Sequence, residues 1–236
     1  MSSRSGKAKK FKSVKEYEYL GENQEILNVT SFLFDEGGRL IQVITDHHSG
    51  VRESLEYSYD NGGKIIKKKE TGTDGKVLLC RYEYDDEGNI IREELTDVEG
   101  NHICYGYYNW IKPDRVLSYE RIGDNCPQIP YRKYNRKDGK PAFIQAKDFF
   151  VQYEYDGEGN QICEKVGRIP IGKKEPEWYS IHRYNKEGLA VGYTNEEGIN
   201  CSMEYEYDKN GNWIRMEGRI ENGPVSKVVI REITLL

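Results

Sequence analysis

Several things are scarce in this sequence, and each scarcity removes a class of function. No stretch of the 236 residues approaches the ~18 consecutive apolar residues of a bilayer-spanning helix. The amino terminus lacks the apolar segment of a secretory signal. The reading is therefore a soluble chain with no membrane span, cytoplasmic as written, and secreted or cell-surface if a leader was removed. Cysteine is sparse and odd in number, five with no CxxC spacing, and the four histidines are scattered, so neither a structural zinc nor any other cofactor is expected. Cys80 and Cys104 hold the same place in successive repeats. In a flat antiparallel sheet that puts them two strands apart, about 9 to 10 Å, which is too far to bridge. They read as small apolar fillers, which suits a reducing compartment. Hydrophobic residues make up only 36% and include 19 tyrosines, so aliphatic core material is thin and tyrosine must supply much of the buried area.

Acidic charge is missing from the amino-terminal segment. Residues 1 to 15 carry six basic side chains (Arg4, Lys7, Lys9, Lys10, Lys12, Lys15) and no acid. The remainder is left with 29 basic against 40 acidic residues, a balance of −11. An acidic body offers no surface for phosphate contacts, so no nucleic acid partner is expected. The tail, residues 1–13, reads as a disordered basic end.

What is present is a repeat. Tyr82-Glu83-Tyr84-Asp85-Asp86-Glu87-Gly88 returns as Tyr57-Ser58-Tyr59-Asp60-Asn61-Gly62-Gly63, as Tyr153 to Gly159 and as Tyr205 to Gly211. Looser copies run from Phe32 to Gly38 and from His182 to Gly188, and worn ones lie near Tyr17, Tyr107 and Tyr134. Anchored on Phe34, Tyr59, Tyr84, Tyr108, Tyr134, Tyr155, Tyr184 and Tyr207, the steps are 25, 25, 24, 26, 21, 29 and 23 residues. A period of this size marks a repeat architecture.

The anchor is followed by Asp or Asn and, three residues later, by Gly. That is the chemistry of a type I turn closed by a left-handed residue, which joins antiparallel strands. Before it, apolar and polar residues alternate, as in Leu55/Tyr57/Tyr59 against Glu56/Ser58. Seven residues beyond the anchor an aliphatic recurs, at Ile41, Ile66, Ile91, Ile162, Val191 and Ile214, and a fixed aliphatic at a fixed offset implies a fixed register. A second turn signal ends each unit, as at Ser49-Gly50, Asp74-Gly75, Glu99-Gly100 and Glu197-Gly198. The expected fold class is all-β, a single elongated repeat array of antiparallel β-hairpins with roughly 16 to 18 strands over residues 14–236. The first strand is expected near Val14. Between about 109 and 183 the pattern loosens, and six of the seven prolines fall there, marking loops, edges or bulges.

Catalytic chemistry finds no foothold in these patterns. Asp35, Asp60, Asp85, Asp156 and Asp208 all occupy the first position of a turn, where Asp is wanted for capping the backbone. The glycine pairs open no helix and so form no phosphate loop. Asp46-His47-His48 lacks a third ligand and reads as a solvated turn. The remaining feature is aromatic: Tyr57/Tyr59, Tyr82/Tyr84, Tyr153/Tyr155 and Tyr205/Tyr207 should share one face and build a ladder, either as core or as a platform. Candidate ligand-binding residues are accordingly Tyr57, Tyr82, Tyr153 and Tyr205 together with Trp110, Trp178, Tyr179 and Trp213. Trp178 and Tyr179 lie in the longest irregular segment, read as a central loop.

These motifs resemble the YD-repeat, or RHS-repeat, family of bacterial proteins, whose unit is Tyr-x-Tyr-Asp-x-x-Gly; the match extends over about residues 15 to 236. The resemblance implies a β-sheet shell architecture and carbohydrate-binding or cell-surface roles. The chain has too few units to enclose cargo and no Asp-Pro-x-Gly block, and it looks most like small stand-alone members. MORN repeats, another hairpin array, have a Gly-rich Tyr-x-Gly pattern that does not stand here. The leading expectation is a non-enzymatic binding or scaffold protein offering an aromatic face or central loops to a glycan or protein. Two alternatives are a carbohydrate-active enzyme with acids among Asp114, Glu120, Asp124 and Glu175, and a toxin-system or cell-surface structural subunit that self-associates edge to edge through open sheet edges.

Overall fold

A computed structural model describes residues 10–21, 25–112, 115–122, 131–135, 140–146, 149–168 and 178–236, without the side chains of 109–112, 115–122, 131–135, 141, 145 and 146. The described residues form eighteen β-strands and no α-helix. They are β1 (Phe11–Leu20), β2 (Glu25–Phe34), β3 (Leu40–His47), β4 (Arg52–Tyr59), β5 (Ile65–Thr71), β6 (Val77–Tyr84), β7 (Ile90–Thr96), β8 (His102–Lys112) and β9 (Arg115–Ile122), then β10 (Tyr131–Asn135), β11 (Pro141–Ala146), β12 (Phe149–Tyr155), β13 (Gln161–Arg168), β14 (Trp178–Tyr184), β15 (Ala190–Asn195), β16 (Asn200–Tyr207), β17 (Trp213–Ile220) and β18 (Val225–Leu235). The chain is all-β, a meander of antiparallel hairpins. It falls into two compact units, one of residues 1–77, 205–217 and 226–236, the other of 78–204 and 218–225.

The turn chemistry explains the hairpins. At Asp85 the backbone N–H donates to Asn89 O at 2.9 Å, and Gly88 N–H donates to Asp85 O at 3.0 Å. The Asp85 carboxylate then accepts the Asn89 N–H at 2.7 Å. Asp35, Asp60, Asp156 and Asp208 make the same set, Asn185 substitutes its amide oxygen, and Gly38, Gly63, Gly159, Gly188 and Gly211 close the turns at positive φ. The second turns at Asp97 and Asn195 repeat this chemistry. Where Asn follows the glycine its side chain also donates to the aspartate, at 3.0 Å for Asn89 and 2.9 Å for Asn212.

The recurrent aliphatic has a different role from the one its spacing suggests. Glu83 opposes Arg92 and Tyr84 opposes Ile90, so Ile91 is an extra residue, a β-bulge facing the anchor. Ile41, Ile66, Ile162 and Val191 are skipped in the same way. The offset is constant because the bulge is constant. Being outside the ladder, Ile41, Ile66, Ile91 and Ile162 are 37–43% exposed.

Cations then tie some of the turns to a neighbouring element. Arg39 pairs with Asp35 at 2.7 Å and lies 4.9 Å from the Tyr59 ring centre of the next hairpin. Lys10 donates to Glu36 O at 3.1 Å, and Lys140 donates to Gly159 O beside the Tyr155 ring.

Three expectations change. β1 begins at Phe11, whose ring packs 6.0 Å from Phe34, so residues 11–13 belong to the sheet and not to the tail; residues 1–9 lie outside the described set. The loose middle still contains strands β9 to β13, and Pro141 opens β11, where no ladder donor is required. Finally, the first strand, expected at an open edge of the meander, is paired on both sides. In the first unit β1 pairs with β2 on one side and with β18 on the other. Arg231 donates to Glu16 at 2.7 Å, Lys227 pairs with Glu18 at 2.7 Å, and Tyr17 hydroxyl donates to Glu232 at 3.1 Å across that seam.

Two measurements test the turn. Gly88 has φ of 89°, so Gly88→Ala is expected to cost about 1 kcal/mol or more in urea unfolding; an unchanged midpoint would refute the left-handed assignment. Hydrogen bonds from the residue four positions on hold Asp35, Asp85, Asp97, Asp156 and Asp208 below the usual carboxylate range, led by the Asn side chain except at Asp35, where the Arg39 backbone leads. A depressed folded pKa stabilises fully above the unfolded value of about 3.9, and that contribution disappears as pH falls through the folded one. Asp85→Asn should therefore be less stable than the parent at pH 7, with a gap that narrows at pH 3. A gap of constant size would remove the charged carboxylate from the account.

Candidate functional site

The tyrosine face of β12 to β14 carries the most exposed aromatic pair with a cation in register. Side chains alternate along β12, so Phe149, Val151, Tyr153 and Tyr155 share one face. Phe149 opposes Arg168, and Arg168 opposes Trp178, which places all three on that face in one row. The Phe149 and Trp178 rings lean together to 6.4 Å between centres, at 57°. They remain 39% and 37% exposed. Ring pairs in this tilted arrangement are mutually attractive, which holds the platform in place.

The repeat explains why they meet. Phe149 and Trp178 each lie six residues before an anchor, Tyr155 and Tyr184, whereas the same slot elsewhere holds Asn28, Glu53, Leu78, His102, Gln128 or Cys201. Two successive copies have large aromatics at equivalent positions, so the rings become neighbours.

The reverse face at this place is closed. Phe150 is 4% exposed and covers Gly167, where an added Cβ would come within 2.8 Å of the Phe150 ring and 2.5 Å of Trp178 O. Tyr179, which opposes Gly167, turns to this reverse face under Lys165, 4.1 Å from its ring centre. Trp178 and Tyr179 thus open a strand rather than lie in a loop, and they face opposite ways.

The other candidates are engaged in packing. Tyr57, Tyr82, Tyr153 and Tyr205 are half-buried. Tyr82 flanks the cluster of Cys80, Leu95 and Cys104, and burial, then its contact with Cys80, raises its hydroxyl pKa. Within that cluster Glu93 is buried and accepts the Tyr108 hydroxyl at 3.3 Å and the Cys80 thiol at 3.7 Å. Cys80 and Cys104 stand opposite Leu95 on its two neighbouring strands. Trp213 meets Tyr205 edge-on at 5.6 Å and is covered by the Arg231 guanidinium at 3.4 Å, which makes it part of the seam. The side chains of Trp110 and Glu120, and all of Asp114, Asp124 and Glu175, lie outside the described residues. His47 Nδ1 is 2.8 Å from Asn28 Oδ1, His47 Nε2 is 3.3 Å from Glu53, and His48 Nε2 is 3.5 Å from Glu25, beside a cavity of about 490 Å³.

Sequence reasoning missed Phe149 and Arg168. Phe149 was within reach, because it stands four residues from Tyr153 in a period-two strand. Arg168 was not, since its pairing with Trp178 is a matter of strand register that neither residue announces.

The family model described as Teneurin YD-shell matches residues 2–168. Among solved structures, a porin-like protein from Bacteroides uniformis aligns with a TM-score of 0.50 at 12% identity, covering 95% of this chain and 96% of that one, which shows a shared fold. A porin-like protein from Bacteroides vulgatus aligns at 0.40 and 11% identity, over 97% and 100% of the two chains. The TcdB2-TccC3-Cdc42 structure aligns at 0.42 and 13%, over 88% of this chain and 11% of that one. No curated protein sequence matches. With the repeat read from its residues, its turns seen in the fold and the family model matched over residues 2–168, the chain belongs to the teneurin YD-shell family.

Proposed function

We propose that this protein is a non-enzymatic scaffold whose sheet presents Phe149 and Trp178 to a glycan. The observation that carries the reading is the exposed pair itself, two large rings 6.4 Å apart on ordered strands. Pyranose rings present a face of C–H bonds that lies flat on aromatic carbon, and two adjacent rings accommodate neighbouring sugar units. A site on strands is held more tightly than one on loops. Membership of a shell-forming repeat family supports the structural half of the proposal. Its non-enzymatic half is supported by the use of the recurrent carboxylates: Asp35, Asp60, Asp85, Asp156 and Asp208 each accept a backbone N–H in a turn.

A second reading, a protein partner, is favoured by the bulge isoleucines. Within the first unit Ile41 and Ile66 stand at equivalent places in successive hairpins, exposed and unsupported by ladder neighbours. Exposed apolar rows of this kind suit a polypeptide laid across the hairpins.

Binding to a panel of immobilised polysaccharides, followed by calorimetry on the best oligosaccharide, tests the first reading. Phe149→Ala and Trp178→Ala are each expected to weaken binding about tenfold, or ~1.4 kcal/mol, with little change in thermal midpoint because both rings are exposed. Retained affinity in both variants would overturn the platform. Loss of binding in a variant of Ile41 and Ile66 instead would favour the second reading.

A further inference from the structure

We infer that the glycan taken by this platform is anionic, with a uronate carboxylate bound by Arg168. The inference rests on the glycan reading above and adds a ligand class to it. Arg168 is exposed and stands in register with both Phe149 and Trp178, on the strand between the two that carry the rings. A planar fork of N–H donors matches a carboxylate in two-point geometry, which a lysine ammonium does not. With five donors, the side chain can serve a ligand beside any bond it makes within the protein.

The surroundings favour a negative ligand. The next row on this face, Val151, Val166 and Ser180, carries no charge. Among the described residues on this face of β13 the first acid beyond it is Glu164, four residues from Arg168, about 13 Å along the strand. Lys165, the other cation of this part of β13, points to the reverse face against Tyr179. Arg168 thus sets a cation in the row of the two rings, on a chain whose residues beyond the first 15 balance to −11. Such a point discriminates among sugars where the rings alone do not, because neutral and acidic pyranoses present similar C–H faces.

The test compares a tetragalacturonate with its carboxyl-reduced neutral counterpart, by calorimetry at low salt, on the full chain. The wild type is expected to bind the uronate about tenfold tighter than the neutral sugar. Arg168→Gln should erase that preference, losing about tenfold on the uronate and less than threefold on the neutral sugar. Arg168→Lys, which keeps the charge and loses the fork, should fall between them, and its native thermal midpoint would show that the site still folds. Trp178→Ala should weaken both ligands alike. Equal wild-type affinity for the two, or a preference that survives in Arg168→Gln, would overturn the inference and leave the platform standing. Binding of neither sugar would overturn both.

Discussion

Everything in this fold depends on one hydrogen-bonding arrangement, the aspartate turn. The carboxylate that accepts the N–H four residues on does so only when the intervening glycine is left-handed, so one side chain and one backbone conformation jointly set where the returning strand begins. Side chains alternate with period two, and a slip of one residue would send every tyrosine to the other face. The bulge makes the same correction in the hairpins anchored at Phe34, Tyr59, Tyr84, Tyr155 and Tyr184, and the Arg39 and Lys140 contacts carry the registration to the adjacent turn. Repetition of the sequence is thus repetition of a constraint.

A thin core follows from this economy. The buried hydrophobic residues among those described are Val14, Cys80, Leu95, Cys104, Phe150, Cys201, Val225, Val228 and Val229. Stability must then reside largely in contacts between neighbouring strands, as in other repeat proteins. The pairing of β1 with β18 is the exception, since its ion pairs join residues from opposite ends of the chain, Glu16 and Arg231 being 215 apart. Contacts so distant in sequence bear a large loop-closure entropy before they form, and the charged side chains that line this seam compensate some of it.

Much of the fold was legible because it is local. Asp, two residues and Gly announce a turn, and Tyr-x-Tyr announces a half-buried strand, whatever lies elsewhere in the chain. The bulge was visible only as an aliphatic at a constant offset, and a constant offset does not say whether a residue sits in the ladder or beside it. Ile91 and its equivalents therefore looked like register pins and proved to be the skipped residues. The seam between β1 and β18 was illegible because nothing in Glu16 or Arg231 names its partner. The candidate site divides along the same line: Trp178 stood out by residue type, while Arg168 acquires its meaning from a register that only the fold supplies.

A repeat hides its functional positions by making every unit look alike, so the informative comparison is between equivalent slots. Six residues before the anchor the chain places two amides, an acid, a leucine, a histidine and a cysteine, and only in the copies ending at Tyr155 and Tyr184 does it place large aromatics, Phe149 and Trp178. Neither ring is needed to bury a core, because both remain more than one third exposed. The opposite face, by contrast, uses Phe150 over Gly167 to pack the same strands tightly. Two adjacent residues of one strand thus separate the two duties: Phe150 holds the sheet, and Phe149, set free of that task by the alternation of the strand, is available to meet a ligand.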